Sequence, residues 1–74
     1  MNVTIEIDSP KLLPKLVAGL KSGGCLTELI DKHACRVVNP VGDDEHQAMC
    51  ELRFYVRAWA LKHGNVAVNL RRES

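Results

Sequence analysis

The segment at residues 43–63, DDEHQAMCELRFYVRAWALKH, decides the fold of this chain of 74 residues. It is the longest stretch in which apolar residues recur at helical spacing, and it contains all three aromatic residues. A helix of this length would measure about 30 Å, close to the diameter of a small domain. We therefore expect the rest of the chain to pack against this helix.

Both ends of the predicted helix carry ordinary signals. Asp43 is expected to cap the first turn, where Asp44 and Glu45 also complement the helix dipole. Gly64 and Asn65 form a standard exit. The apolar stripe is predicted to contain Met49, Leu52, Val56, Trp59 or Ala60, and His63, widened by Ala48, Tyr55 and Leu61.

Alternating patterns at the two ends of the chain predict two strands. At residues 2–8, NVTIEID, and at residues 66–71, VAVNLR, apolar and polar side chains alternate. We expect the two strands to pair and to lay one apolar face on the long helix. That face would contain Val3, Ile5, Ile7, Val66, Val68 and Leu70. Residues 72–74 are expected to form a frayed tail.

The segment between the first strand and the long helix predicts further helices. Ser9 and Pro10 favour a helix over residues 10–21, and Pro14 implies either a distorted first turn or a true start near Leu13. A second helix is expected from residue 25 or 26 to residue 33, with Glu28 and Lys32 paired along it. Residues 35–41 could be the end of that helix or a third strand, and their β-branched residues favour the strand.

Together these elements predict one small α+β domain over residues 1–74. The order is β-α-α-(β)-α-β, with a sheet of two or three strands packed against helices. Chains this short bury about 60% of their unfolded surface, and an exposed sheet edge adds a site for pairing. These two features allow a homodimer, in which dimerisation would bury additional apolar area.

Charge is nearly balanced, with ten basic and nine acidic residues and a net charge of +1, so no obligate polyanionic partner is indicated. From Glu51 onward, basic residues outnumber acidic ones by five to two. They define a candidate binding surface: Arg53, Arg57, Lys62, Arg71 and Arg72. The alternative is a solvated face whose arginine stems cover apolar surface.

The three cysteines, Cys25, Cys35 and Cys50, cannot all pair within one chain. With no signal-peptide pattern and no run of 18 apolar residues, they favour a reduced, cytoplasmic location without a membrane partner. Two pairs have spacings that could suit a metal or a Cys–His site: His33 with Cys35, and His46 with Cys50. No standard metal or catalytic motif surrounds them, so we predict no metal, no cofactor and no enzymatic activity.

Residues 3–34 resemble the ribbon-helix-helix family of DNA-binding proteins. The matching segments are VTIEID, SPKLLPKLVAGLK, SGG and LTELIDKHA. The resemblance implies a strand that pairs with the same strand of a dimer mate, and a face of Asn2, Thr4 and Glu6 directed at bases. It also implies that the amides of Gly24 and Cys25 meet a phosphate. The long helix and the last strand lie outside the resemblance.

Two functional hypotheses follow. The favoured one is a small non-enzymatic binding or regulatory protein that acts through protein–protein contacts, with itself as one candidate partner. The alternative is a dimeric DNA-binding regulator of the ribbon-helix-helix kind, in which nucleic acid is the partner.

Overall fold

The computed structural model describes residues 2–38 and 44–73. In chain order, the elements are β1 (Asn2–Ile7), α1 (Leu13–Ser22), β2 (Leu26–Leu29), β3 (Ala34–Val38), α2 (Glu45–Lys62) and β4 (Val68–Glu73). The strands form one sheet in the order β2-β3-β1-β4, in which every neighbouring pair is antiparallel. This connectivity is the split β-α-β, or ferredoxin-like, arrangement.

The two terminal strands pair as the alternation predicted. Ile5 of β1 lies opposite Leu70 of β4. The predicted frayed tail was wrong, because Arg72 and Glu73 continue β4 opposite Val3 and Asn2. Position 74 lies outside the described residues.

The core lies between the two helices and one face of the sheet. Strand β1 is central, so the side chains of Val3 and Ile5 are completely buried. Cys35 and Val37 of β3 complete the middle of this face. The helices contribute Leu13, Leu16, Val17, Leu20, Leu52, Val56, Trp59 and Ala60.

Helix α1 begins at Leu13, which was the alternative start suggested by Pro14. Pro14 therefore lies in the first turn, where its missing N–H group would have no partner within the helix. Gly24, with φ of +92°, then lets the chain turn back toward β2 without strain on a side chain.

The second helix predicted for residues 25–33 was wrong, because this segment forms β2 and a turn. Glu28 lies opposite Arg36 of β3, so it does not form the predicted pair with Lys32. The turn is closed by Ile30 N–H donating to the Ala34 carbonyl at 3.0 Å. Hydrogen bonding to β3 thus stabilises this segment as a strand more than its weak helix propensity stabilises it as a helix.

The ambiguous segment at residues 35–41 is a strand as far as it is described. Residues 35–38 belong to β3, whose Val37 lies opposite Val3. Residues 39–41 fall outside the described residues. The sheet therefore has four strands, and the order of elements is β-α-β-β-α-β.

The long helix forms as predicted, with a different cap. Its N-terminal cap is Asp44, whose carboxylate accepts the N–H of Gln47 at 2.7 Å. Asp43, the predicted cap, lies outside the described residues. At the other end, Gly64 and Asn65 adopt positive φ values of 80° and 57°, so the predicted exit is confirmed.

The predicted apolar stripe of α2 is buried along most of its length. The buried members are Ala48, Leu52, Val56, Trp59 and Ala60. His63 stacks on Trp59, with 4.2 Å between the ring centroids. Leu61 was assigned wrongly, because it is 69% exposed on the outer side of the helix.

Ile5→Ala should lower the free energy of unfolding by about 2–5 kcal/mol, because it leaves a cavity at the centre of the sheet. A domain of this size has a total stability of about 4–11 kcal/mol, so the loss would be large. Urea denaturation monitored by Trp59 fluorescence measures it. As a control, Leu61→Ala should change stability by about 0.5 kcal/mol or less; equal effects of the two substitutions would contradict this core.

Candidate functional site

Arg53 and Arg57 lie one turn apart on the side of α2 that faces β4. Together with Val68 and Leu70 they line a groove of about 210 Å³ between the helix and the strand. Toward the start of α2 the groove continues into a second concavity of about 320 Å³, which Arg53 and Leu70 also line. Its other lining residues are His46, Met49, Cys50 and Arg72. The result is an aliphatic floor bordered by arginines.

The groove runs beside β4, which is an edge strand of the sheet among the described residues. Asp8 N–H donates to the Ala67 carbonyl at 3.0 Å, which fixes the alternation of the hydrogen bonds between β1 and β4. Asn69, Arg71 and Glu73 therefore direct their backbone groups to β1. The N–H and C=O groups of Val68, Leu70 and Arg72 face away from the sheet.

The remaining residues of the predicted basic surface are dispersed. Arg71 projects from the opposite face of the sheet, where its guanidinium lies 3.5 Å from the Glu6 carboxylate. Arg72 borders the groove and lies 3.4 Å from Glu45. Lys62 is in the last turn of α2 and does not line the groove. The structure thus brings Arg53, Arg57 and Arg72 together and separates Arg71 and Lys62 from them.

Arg53 and Arg57 carry the positive charge that the groove offers. The ion pairs found in the described parts of the chain are Arg36–Glu28, Arg36–Glu73, Arg71–Glu6 and Arg72–Glu45. Within residues 2–38 and 44–73, neither Arg53 nor Arg57 has a carboxylate partner. The groove is therefore electrostatically suited to a negatively charged ligand.

The face of the sheet away from the helices, here called the open face, carries ion pairs of its own. The guanidinium of Arg36 on β3 donates two hydrogen bonds to Glu73 on β4, at 2.7 and 3.2 Å. This bridge spans β1 and covers Thr4, which is 6% exposed. Arg36, with a smaller contribution from Thr4, holds the pKa of the Glu73 carboxyl below its usual value.

The structure places the predicted DNA-facing residues on this open face. Asn2 is half-buried, Thr4 is buried, and Glu6 pairs with Arg71. Strand β1 is also paired on both sides within the chain, to β3 and to β4. The strand pairing across a dimer and the second helix, which the ribbon-helix-helix resemblance implies, are therefore both absent from the described residues.

The amides that were expected to meet a phosphate form hydrogen bonds within the chain instead. Gly24 N–H donates to the Lys21 carbonyl, and Cys25 N–H donates to the Leu20 carbonyl, each at 3.0 Å. These bonds satisfy carbonyl groups at the end of α1. The turn before β2 thus presents neither amide to a ligand.

The two Cys–His pairs differ in accessibility. His46 Nε2 lies 3.7 Å from Cys50 Sγ on the exposed side of α2. Cys35 is in the core, where burial raises the pKa of its thiol to about 11, while His33 is exposed. In the part of the chain that the structure describes, no three potential metal-binding side chains come together.

A third concavity, of about 290 Å³, lies between α1 and the first half of α2. Gly19, Leu20, Cys25, Leu52 and Tyr55 contribute to its largely apolar lining. A Cβ atom at position 19 would lie 2.6 Å from the Tyr55 hydroxyl, so the glycine allows the ring to lie close to α1. This cleft could not be predicted from the sequence, because it depends on how the helices pack.

The outer backbone edge of β4 could not be predicted from the sequence either. Alternation at residues 66–71 indicated a strand, but which side of the strand stays unpaired depends on the order of strands in the sheet. Val68 and Leu70 were predicted to face the long helix, and they do so while leaving part of their surface in the groove. The last two residues of the strand, Arg72 and Glu73, belonged to the predicted tail.

Comparisons of the chain with protein-family models, curated proteins and solved structures found no match. Among the described residues, no helix has the length and apolar character needed to cross a bilayer.

The Arg36–Glu73 bridge predicts a specific dependence of stability on pH. Because the pKa of Glu73 is lowered in the fold, its contribution is present above the ordinary value of 4.5 and is lost as pH falls through the lowered pKa. Glu73→Gln should therefore be less stable than the wild type at pH 7 and lose less stability between about pH 5 and pH 3.

Urea denaturation across this pH range measures both effects. The matched control is Glu51→Gln, which removes an exposed carboxylate of α2. Identical pH profiles for the wild type and Glu73→Gln would mean that the bridge does not form in solution.

Proposed function

We propose that this protein is a small, non-enzymatic binding module that holds an extended, acidic segment of a partner protein along β4. The observation that carries the proposal is the position of Arg53 and Arg57 beside a strand edge with free backbone groups. The partner segment would add a fifth strand to the sheet.

The backbone of β4 supplies the first part of the binding energy. A strand laid beside it would bond to the N–H and C=O groups of Val68, Leu70 and Arg72. Alternate side chains of the added strand would then point toward α2, over the aliphatic floor of the groove. Main-chain hydrogen bonds give such complexes affinity with little dependence on sequence.

The two arginines supply the selectivity. Four residues of helix rise about 6 Å, which is close to the spacing of about 6.8 Å between alternate residues of a strand. Arg53 and Arg57 can therefore meet two acidic side chains at positions i and i+2 of the added strand. Exposed ion pairs contribute about 1 kcal/mol or less each, so they select the partner and speed its association more than they tighten binding.

The competing proposal, suggested by the ribbon-helix-helix resemblance, is a DNA-binding regulator. Because β1 is paired within the chain on both sides, such a regulator would have to bind DNA through the groove rather than through β1. Arg53 and Arg57 support it, because neither has a carboxylate partner among the described residues and arginines bind phosphates as well as carboxylates. The carboxylates of Glu6, Glu28 and Glu73 on the open face weigh against a duplex docked there. We therefore favour the acidic polypeptide.

We also propose a reducing location, the cytoplasm. Cys25, Cys35 and Cys50 are all free thiols, and Cys50 is exposed beside His46. Exposed thiols persist in the cytoplasm, where thiols are kept reduced.

A peptide of four Glu-Val repeats is the probe for the proposed site. When it is titrated into the ¹⁵N-labelled protein at about 50 mM salt, the amide signals of Val68, Leu70 and Arg72 should shift. Arg53→Glu with Arg57→Glu should weaken this binding by about tenfold or more, because both attractive contacts become repulsive.

The matched control reverses two exposed charges on the other helix, Lys15→Glu with Lys21→Glu, and should bind the peptide like the wild type. A duplex DNA titration at the same salt concentration discriminates the competing proposal. Binding of DNA in preference to the peptide would overturn the acidic-polypeptide assignment. Shifts confined to other strands would overturn the site.

A further inference from the structure

The opposite edge of the sheet, β2, is apolar and has no covering element on its outer side within the described residues. Leu26 is 70% exposed and Leu29 is 63% exposed, and Ile30 follows them in the turn. Leu26 projects from the open face, and Leu29 projects from the face that the helices cover elsewhere. Both surfaces of this edge therefore present leucine to water.

Within residues 2–38 and 44–73, the backbone of β2 also has no strand beside it on its outer side. Ile30 N–H donates to the Ala34 carbonyl. Because hydrogen-bonded pairs alternate in an antiparallel ladder, the backbone N–H and C=O groups of Leu26 and Glu28 then point toward β3. The N–H and C=O groups of Thr27 and Leu29 face outward. Proteins commonly protect such an edge with lysine or proline, and β2, with the sequence LTEL, has neither.

We propose that β2 pairs with β2 of a second copy of this chain, so that two four-stranded sheets become one continuous sheet across a two-fold axis. An antiparallel pair of identical strands satisfies that symmetry, because the same surface is used twice. The occupant is thus a second copy, and its contacts are the outward groups of Thr27 and Leu29 and the exposed leucines.

The distribution of charge selects this edge for self-association. The acidic side chain of β2, Glu28, lies 3.6 Å from Arg36 of the same chain. At the other edge, two copies would bring Arg53 and Arg57 toward their own counterparts, which disfavours pairing of β4 with itself. The β2 edge is therefore the self-complementary one, and the β4 edge remains open for a different partner.

The side chains also select the register. Centring the pair on Glu28 would place two carboxylates directly opposite each other, which is destabilising. Centring it on Leu29 would extend the pairing into the turn at residues 30–33. Centring it on Thr27 uses the whole of β2, places Leu26 opposite Glu28 of the second copy and brings the two Leu26 side chains within diagonal reach.

The dimer would be weak, and it would present two β4 binding sites to a partner. An interface built on one short strand from each copy belongs to the small class, so we expect a dissociation constant on the order of 10–100 μM. The two β4 edges would lie at opposite ends of the combined sheet, about 34 Å apart at the usual spacing between strands. A partner with two acidic segments would then gain avidity from the pair.

Sedimentation equilibrium of the full chain at several concentrations tests the proposal. The wild type should show a reversible monomer–dimer equilibrium. Leu26→Glu should weaken dimerisation by about tenfold or more, because it sets a carboxylate against Glu28 of the second copy. Leu26→Lys should weaken it much less, because the same position then faces an opposite charge.

Leu61→Glu is the matched control, because Leu61 is as exposed as Leu26 but lies on α2. It should leave dimerisation unchanged. Independently of any substitution, dilution of the ¹⁵N-labelled wild type should shift the Thr27 and Leu29 amide signals and leave those of Val68 and Leu70 in place.

Three results would overturn the proposal. A wild type that stays monomeric at about 1 mM excludes a dimer of the expected strength. Loss of the dimer in Leu61→Glu, with the dimer retained in Leu26→Glu, would assign the interface to α2. Equal weakening by Leu26→Glu and Leu26→Lys would exclude the register centred on Thr27. None of these results bears on peptide binding at β4, so the two proposals fail separately.

Discussion

The pairing of β1 on both of its sides is the constraint on which the rest of the structure depends. Its odd-numbered residues bury their side chains: Val3 and Ile5 bond to β3, and Ile7 N–H donates to the carbonyl of His33, directly before β3. Its even-numbered residues bond to β4. A central strand leaves no backbone group free for another chain. The free groups of the sheet are therefore displaced to β2 and β4, and the two proposed interfaces lie there.

The Arg36–Glu73 bridge extends the same constraint to the open face of the sheet. It crosses β1 from β3 to β4 and covers Thr4, so the centre of this face is occupied by charges that already have partners. A ligand would have to replace those contacts before it could bind there. By contrast, Arg53 and Arg57 lie above an open groove, and their charges are available without such a loss.

The sequence predicted those elements whose hydrophobic pattern fits only a strand or only a helix. Strict alternation identified β1 and β4, and a long run at helical spacing identified α2. The helix predicted around Leu26 and Leu29 was wrong. Apolar residues three and four positions apart also occur in a short strand whose side chains stay exposed. Neither the free side of β4 nor the bridge from Arg36 to Glu73 could be predicted, because both depend on strand order and on contacts between residues 37 positions apart.

Hydrogen exchange along β4 in a dilute sample tests the central placement of β1 most directly. If β1 occupies the inner side of β4 and the outer side is free, the amides of Asn69, Arg71 and Glu73 should exchange slowly, while those of Val68, Leu70 and Arg72 exchange quickly. Uniform protection along the strand, or protection with the opposite alternation, would contradict this topology and with it both edge assignments.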